Sequence, residues 1–445
     1  MAKFKKYLLL VLTAVTFAFG CFAFASCNPA DGSSSPGKPT KGLEYKINED
    51  GETASVTDIG TATAKNIVIA STYDGKPVTT IGECAFYDCE NLTSVVIPNS
   101  VTTIGDRAFD DCISLKSVVI PNNVTTIGDY AFDNCDSLTS VAIPDSVTTI
   151  GGSAFYSCNS LTSIVISDNV IKIEGYTFAW CRNLTEVVIP DSVTTVGQYA
   201  FYNCGRLTSV AIGDSVTTIG EWAFYDCDSL TSVVIPESVT SIEESAFAYC
   251  NNLTNVVIPD SVTSIGKWAF QGSACCNDTN GALYIGNHLI EADVFLSGAY
   301  TIKAGTVTIG ELAFHSCSSL TSVVIPESVT TIGNYAFYDC DGLTSVIIGD
   351  SVTTIGDHAF GYCDSLTSVV IPESVTTIGE WAFHVCRSLT SVYYKGTAEE
   401  WTEISIYNDT NFYLTEATRY YYSETAPTAE GNYWHYVNGT PTAWE

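Results

Sequence analysis

The sequence predicts an α/β repeat solenoid: short coils of chain stacked into one array, with a parallel β-ladder on one side, short helical turns on the other, and β caps. Three observations carry this. Phe recurs 23 residues apart at Phe86, Phe109, Phe132, Phe155, Phe178, Phe201, Phe224, Phe247 and Phe270, and again at Phe314, Phe337, Phe360 and Phe383. The other apolar residues keep the same register. The unit from Val101, VTTIGDRAFDDCISLKSVVIPNN, shows the apolar columns Val101, Ile104, Ala108, Phe109, Cys112, Leu115, Val118 and Ile120. Finally, the hydrophobic period changes within a unit, from alternation around Val118 and Ile120 to helical spacing in Ala108, Phe109 and Cys112.

Composition narrows the function classes. The chain has 445 residues, 46% of them hydrophobic, and 18 basic against 49 acidic residues, for a net charge of −31. Such a surface repels nucleic-acid phosphates and anionic lipid headgroups, so neither is an expected partner.

In chain order, residues 1–27 are an export signal. Lys3, Lys5 and Lys6 precede an uncharged apolar run from Tyr7 to Ala25. The following Phe24-Ala25-Ser26-Cys27 resembles the lipobox of bacterial lipoproteins, which implies that Cys27 becomes the lipidated first residue; Cys21 is a second candidate. Ala23-Phe24-Ala25 suits an ordinary signal peptidase, and the run is also long enough to remain as an uncleaved anchor. All three alternatives export the remainder, and the membrane is reached only through this N-terminus. Residues 28–42, with Ser33-Ser34-Ser35-Pro36-Gly37, form a flexible tether.

Residues 43–75 form an N-terminal β cap: Tyr45 and Ile47 point inward, Asn48 to Gly51 turn, and Ile67-Val68-Ile69 joins the ladder. Residues 76–272 are repeat units. In each, Val118 and Ile120 of a short strand point inward while Ser117 and Val119 point outward. Pro98, Pro121, Pro144 and Pro190 close that strand, because proline cannot extend a ladder. Val-Thr-Thr-Ile is a second extended piece, ended by Gly82, Gly105, Gly128 and Gly151. Residues 273–304 are an irregular insert, whose Gly286-Asn287 predicts a two-residue hairpin in place of a normal rung. Units resume over 305–394. Residues 395–445 leave the repeat as an aromatic-rich cap ending in a hairpin around Asn438-Gly439.

The unit I-G-x-x-A-F-x-x-C-x-x-L-x-x-V-x-I-P closely resembles the BspA-type leucine-rich repeats of bacterial cell-surface proteins, over about residues 76–394. That resemblance implies a non-enzymatic protein of the cell surface that adheres to host or neighbouring-cell proteins, with no cofactor.

The residues themselves support a scaffold. The cysteine column (Cys89, Cys112, Cys135 and their equivalents to Cys386) points into the core as buried thiols; only Cys275 and Cys276 invite pairing. No C-x-x-C pair or partnering His makes a metal site there. A file of acids follows the strand at Asp145, Asp168, Asp191, Asp214, Glu237, Asp260, Glu327, Asp350 and Glu373. One carboxylate per rung is poor cage chemistry, so the file reads as a solvated corner. His288, His315, His358, His384 and His435 have no matched nucleophile, and no phosphate loop or H-E-x-x-H appears.

Two surfaces remain as candidates. On the outward strand face, Ser94/Val96, Ser117/Val119, Ser140/Ala142, Ser163/Val165, Ser232/Val234 and Ser368/Val370 make a mildly apolar strip, varied by Glu186, Asn255, Ile347 and Tyr393. On the helical side, two columns three residues apart bring together Tyr199 and Tyr202, Trp222 and Tyr225, Tyr335 and Tyr338, and Trp381 and His384, with Tyr130, Tyr156 and Trp268 nearby. Such rings anchor protein interfaces and stack on sugars, so a glycan is the alternative ligand. Both surfaces also have a structural purpose, ladder stabilisation for the strip and ring packing for the aromatics. A structural spacer or self-assembling element is the third possibility.

Overall fold

The computed structural model describes residues 37–275, 281–407, 409–428 and 430–444. The expected export signal with Cys27, most of the expected tether, and Cys276 lie outside them. Thr40–Glu445 forms one compact unit.

Each 23-residue coil has three sides. The first is the Ser-Val ladder, whose parallel strands pair equivalent residues: Ser140 with Ser163 and Val141 with Ile164, then Glu186 with Ser209 and Val187 with Val210. The second is the Thr-Ile ladder, where Thr103 pairs with Thr126 and Ile104 with Ile127. Strands of two to six residues suffice because within the array each pairs with a copy of itself in a neighbouring rung. Threonine hydroxyls add a second rail: Thr162, Thr185 and Thr208 each donate to a threonine carbonyl one rung back.

The third side corrects an expectation. The spacing of Ala108, Phe109 and Cys112 predicts a helical turn, yet no α-helix forms there. Arg107 and Asp111 are left-handed, with φ of 53° and 60°, and the equivalent pair recurs down the array. Alternate N–H groups then point along the stack: Arg107, Phe109 and Asp111 donate to the carbonyls of Asp129, Ala131 and Asp133 in the next rung. The intervening N–H groups of Ala108, Asp110 and Cys112 close turns within the rung. This string of turns therefore works as a third ladder. The inter-rung bonds offset a left-handed backbone that costs about 1–2 kcal/mol per non-glycine residue.

Inside, like stacks on like. Phe86, Phe109, Phe132 and Phe155 are fully buried, with ring centroids 5.1 to 5.3 Å apart. The cysteines beside them are free thiols, buried at Cys112, Cys135 and Cys158; Cys89, expected to be buried, is only half-buried because it lies in the first full unit. Cys112 Sγ donates to the Phe86 carbonyl at 3.1 Å, and Cys135 and Cys158 repeat the bond. Ser273 takes the cysteine's place in its unit and donates to Phe247 O at 2.6 Å. Thr177 likewise stands in the alanine column, its hydroxyl satisfied by Glu174 O.

The core divides at the insert into two clusters, one ending near Ile290 and one beginning at Ala282. Between them stands the hairpin Ala282–Ile285 and His288–Ala292, whose second strand enters the Thr-Ile ladder by pairing with Thr308–Ile309. Glu311 N–H still reaches Ile265 O across it at 2.9 Å.

Different elements close the two ends. At the first, Glu44–Ile47 and Ala54–Asp58 pair antiparallel, and the second strand starts the Thr-Ile ladder. At the other, α1 (Ala398–Glu403) and α2 (Phe412–Glu416) flank the last strands. The cap was expected to be β, so these helices are an addition to it. α1 begins with a capping box made by Thr397 and Glu400. The hairpin Tyr433–Val437 with Thr440–Ala443 completes the end, and its Trp434 is fully buried, donating from Nε1 to Tyr394 O at 2.8 Å.

Candidate binding surfaces

The outward face of the Ser-Val ladder carries one apolar residue per rung. Val96, Val165, Val188, Val234 and Val257 are exposed, and Val119 leaves 79% of its surface in water. Glu186 and Asn255 are exposed in the adjoining outward column, which serine occupies in most units. Toward the end of the array the same column becomes Val324, Ile347, Val370, Tyr393 and Tyr420, paired strand to strand. Exposure there collapses: Val324 is 39% exposed and Val370 only 2%. Tyr393 stacks on Tyr420 at 5.3 Å and packs against Trp434 at 5.4 Å. Tyr393, named from the sequence as a specificity residue, is thus engaged by the chain's own cap.

Beside this strip the acid file is exposed throughout. Its carboxylates also hold the corners, since Asp191 accepts the Asp214 N–H and Glu327 that of Asp350. Asp350 alone among them forms an ion pair within the described residues, with Lys395. A second file on the Gly side repeats this bonding: Asp106 accepts Asp129 N–H, Asp129 accepts Gly152 N–H, and Asp357 accepts Glu380 N–H. Reading the sequence missed it, although the residue after each rung-ending Gly is acidic in many units. Among the described residues no group of three or more His, Cys, Asp or Glu is placed to hold a metal ion.

The aromatic columns form two patches. In the first, Tyr199 stacks between Tyr176 at 4.5 Å and Trp222 at 5.8 Å, while Tyr202 stacks on Tyr225 at 5.1 Å. Trp222 leans on Tyr225, and Tyr249 meets Tyr225 edge-on. In the second, Tyr335 stacks on His358 at 4.6 Å and tilts onto Tyr338; Trp381 meets His384 edge-on at 4.5 Å. Trp180, Tyr249 and Tyr362 escaped notice because Asp, Asn or Ser holds their column in most other units, whereas Tyr176 belongs to the column of Tyr130, Tyr199 and Trp222 and was passed over. Stacking has a consequence for ligands: both faces of an interior ring such as Tyr199 are spent on its neighbours. Trp268 stands apart, exposed, with the Lys267 ammonium 5.1 Å from its ring.

Burial disfavours the charged forms of the ionisable groups that face inward. Burial raises the thiol of Cys181 to about 12, and pushes Cys135, Cys158 and Cys204 upward for the same reason. Asp133, in the column that holds Tyr156 and Tyr202, is raised to about 7 by burial and then by Asp110 and Asp111. Its Oδ1 is buried without a hydrogen-bond partner. The nearest cation, Arg107, is taken by Asp110 at 3.1 Å and by the Tyr130 ring.

Comparison with known proteins agrees with the repeat pattern. Six copies of the model for the BspA type leucine-rich repeat region match residues 79–179, 148–277 and 297–413. Among solved structures, a leucine-rich cell surface protein of Faecalibacterium prausnitzii is 31% identical, with 84% of this chain and 98% of that one aligned and a TM-score of 0.39. A leucine-rich repeat protein of Bacteroides ovatus is 26% identical over 82% and 86%, with a TM-score of 0.45. The pneumococcal vaccine antigen PcpA is 20% identical over 87% and 93%, with a TM-score of 0.41. No match appears among the curated proteins compared.

Proposed function

We propose that this chain, which belongs to the BspA-type leucine-rich repeat family, is a non-enzymatic adhesin of the cell surface that holds another protein through the outward face of its Ser-Val ladder. The observation that carries this reading is the strip from Val96 to Val257, an exposed apolar column on a backbone fixed by three ladders. Rigid, preorganised apolar surface binds at low entropic cost, because nothing in it must be ordered on contact. The relative from Faecalibacterium is itself described as a cell surface protein, which supports a place at the cell surface; export by residues 1–27 and lipidation at Cys27 are part of this proposal. Loss of lipid labelling in Cys27→Ser checks that anchor, and retained labelling moves it elsewhere.

An array of purified extracellular matrix and bacterial surface proteins, probed with the chain, tests the adhesive reading. Val119→Asp with Val165→Asp is expected to abolish capture, and Trp222→Ala with Trp381→Ala to leave it intact. Capture that survives the first pair and fails with the second transfers the site to the aromatic side. A glycan ligand has one specific support, the exposed Trp268, which no other ring stacks upon among the described residues. A glycan array showing no binding, or binding that survives Trp268→Ala, removes it.

A further inference from the structure

The chain displays how its own strip is covered. The column that is bare at Val119 and Val165 is closed at Val370 and Tyr393, in the rungs beside the hairpin Tyr433–Ala443. What covers it there is aromatic: Tyr393 lies against Tyr420 and Trp434, and Tyr436 meets Trp434 edge-on at 4.9 Å. The same place is where the acid file acquires a cation, because Lys395 pairs with Asp350 and lies 5.9 Å from the Tyr436 ring. Rings over the valine column and an ammonium over the carboxylates are thus already joined in one contact. Going back along the array, the valines and carboxylates continue and the rings and ammonium do not.

We propose that the open stretch of this face, Val96 to Val257 with the carboxylates Asp145 to Asp260 beside it, docks an extended segment of a partner protein that bears both aromatic and cationic side chains. The proposal rests on the adhesive reading above and specifies the partner's chemistry. Continuity with the hairpin's contact supplies the aromatic half. Charge supplies the other half: at −31 the chain attracts a cationic segment over a distance set by salt. It also repels a second copy of itself, whose own acid file would face this one. Self-assembly through this face is therefore disfavoured.

Titration of the full chain with three synthetic hairpin peptides tests this. One alternates Trp and Tyr with Lys, one replaces Lys by Glu, and one replaces the aromatics by Ser. Binding is expected for the first alone, weakened at least tenfold or so on going from ~0.05 to ~0.5 M salt. A comparable loss is expected in Asp145→Asn/Asp191→Asn/Glu237→Gln and in Val165→Ser/Val188→Ser/Val234→Ser, both checked for native circular dichroism. These positions are exposed, so folding is spared. Equal binding of the Glu peptide, or binding unaffected by both variants, overturns the proposal, as does failure of all three peptides. If the protein array still shows capture that Val119→Asp/Val165→Asp destroys while the Lys peptide fails, the adhesive face stands and only its cationic partner falls.

Discussion

Asp133 shows what a repeat column does to a residue that does not suit it. In a column that holds Asp110 one rung before it and Tyr156, Tyr202 and Tyr225 further along, its carboxyl is raised to about 7 and lacks a partner for Oδ1. The folded chain therefore binds this proton more tightly than the unfolded one, whose Asp titrates near ~3.9. Stability from this group is complete below ~4 and is lost as pH rises through about 7. Asp133→Asn is expected to raise the melting temperature at neutral pH and to flatten its pH dependence across that window. An unchanged profile contradicts the assignment. The thiols give a second residue-scale outcome. Cys84 is exposed and the core-column cysteines from Cys112 to Cys386 are buried, so of these only Cys84 labels readily with iodoacetamide in the native state. Labelling quickens with pH, because its thiol is raised by burial and by Glu83. The inward columns were legible in the sequence because a 23-residue period leaves each one visible thirteen times. Asp133 was not, because its column varies, with Asp110 and Ala179 as well as tyrosines, and a variable column says nothing about the space around any one member.

Among the elements, the third side was the least legible. Three-residue spacing between Phe109 and Cys112 fits a helix and a string of turns equally well. What decides is alternate N–H donation to the next rung, a partner no single unit contains. Gly272 offers the one hint, a left-handed position (φ 71°) whose column elsewhere holds Asp111, Ser157 and Asn203. Ser157→Gly is accordingly expected to be neutral or stabilising by up to about 1 kcal/mol in denaturant melts. An α-helix at this position would instead make the substitution destabilising by about 1 kcal/mol. The insert makes a prediction of its own. His288 is fully buried in the hairpin strand, with Nε2 3.2 Å from Pro259 O and Nδ1 unpartnered. Burial lowers its pKa, outweighing the nearby Asp260, so the stability it lends is present above 6.5 and lost as pH falls below that value. Hydrogen-exchange protection of Ala282–Ala292 is expected to drop over that range in the native chain and to hold steadier in His288→Gln. The helices of the C-terminal cap had a readable signal in Thr397-x-x-Glu400, overshadowed by the tyrosines that follow.

At the scale of the whole molecule, the interior is a sum of contacts between neighbours. No single coil can bury its Phe, Cys and Leu without the coils above and below it, so folding is collective and the ends need protection. The proposed adhesive surface follows from the same repetition, since the residue that faces out in one strand faces out in its neighbours. Which of the two outward surfaces serves a partner was open in the sequence. The chain's treatment of its own Val370 and the mutual stacking of Tyr176, Tyr199 and Trp222 favour the strand face. Equivalent coils joined in one register is the premise beneath every other statement, and an in-frame deletion of residues 124–146, one full period, tests it most directly by thermal unfolding. The account predicts a folded protein with native-like circular dichroism, a single cooperative transition and a modestly lower midpoint, whereas deletion of 124–134 alone abolishes the transition. Loss of cooperative unfolding on removing the full period, or equal tolerance of the partial one, would contradict it.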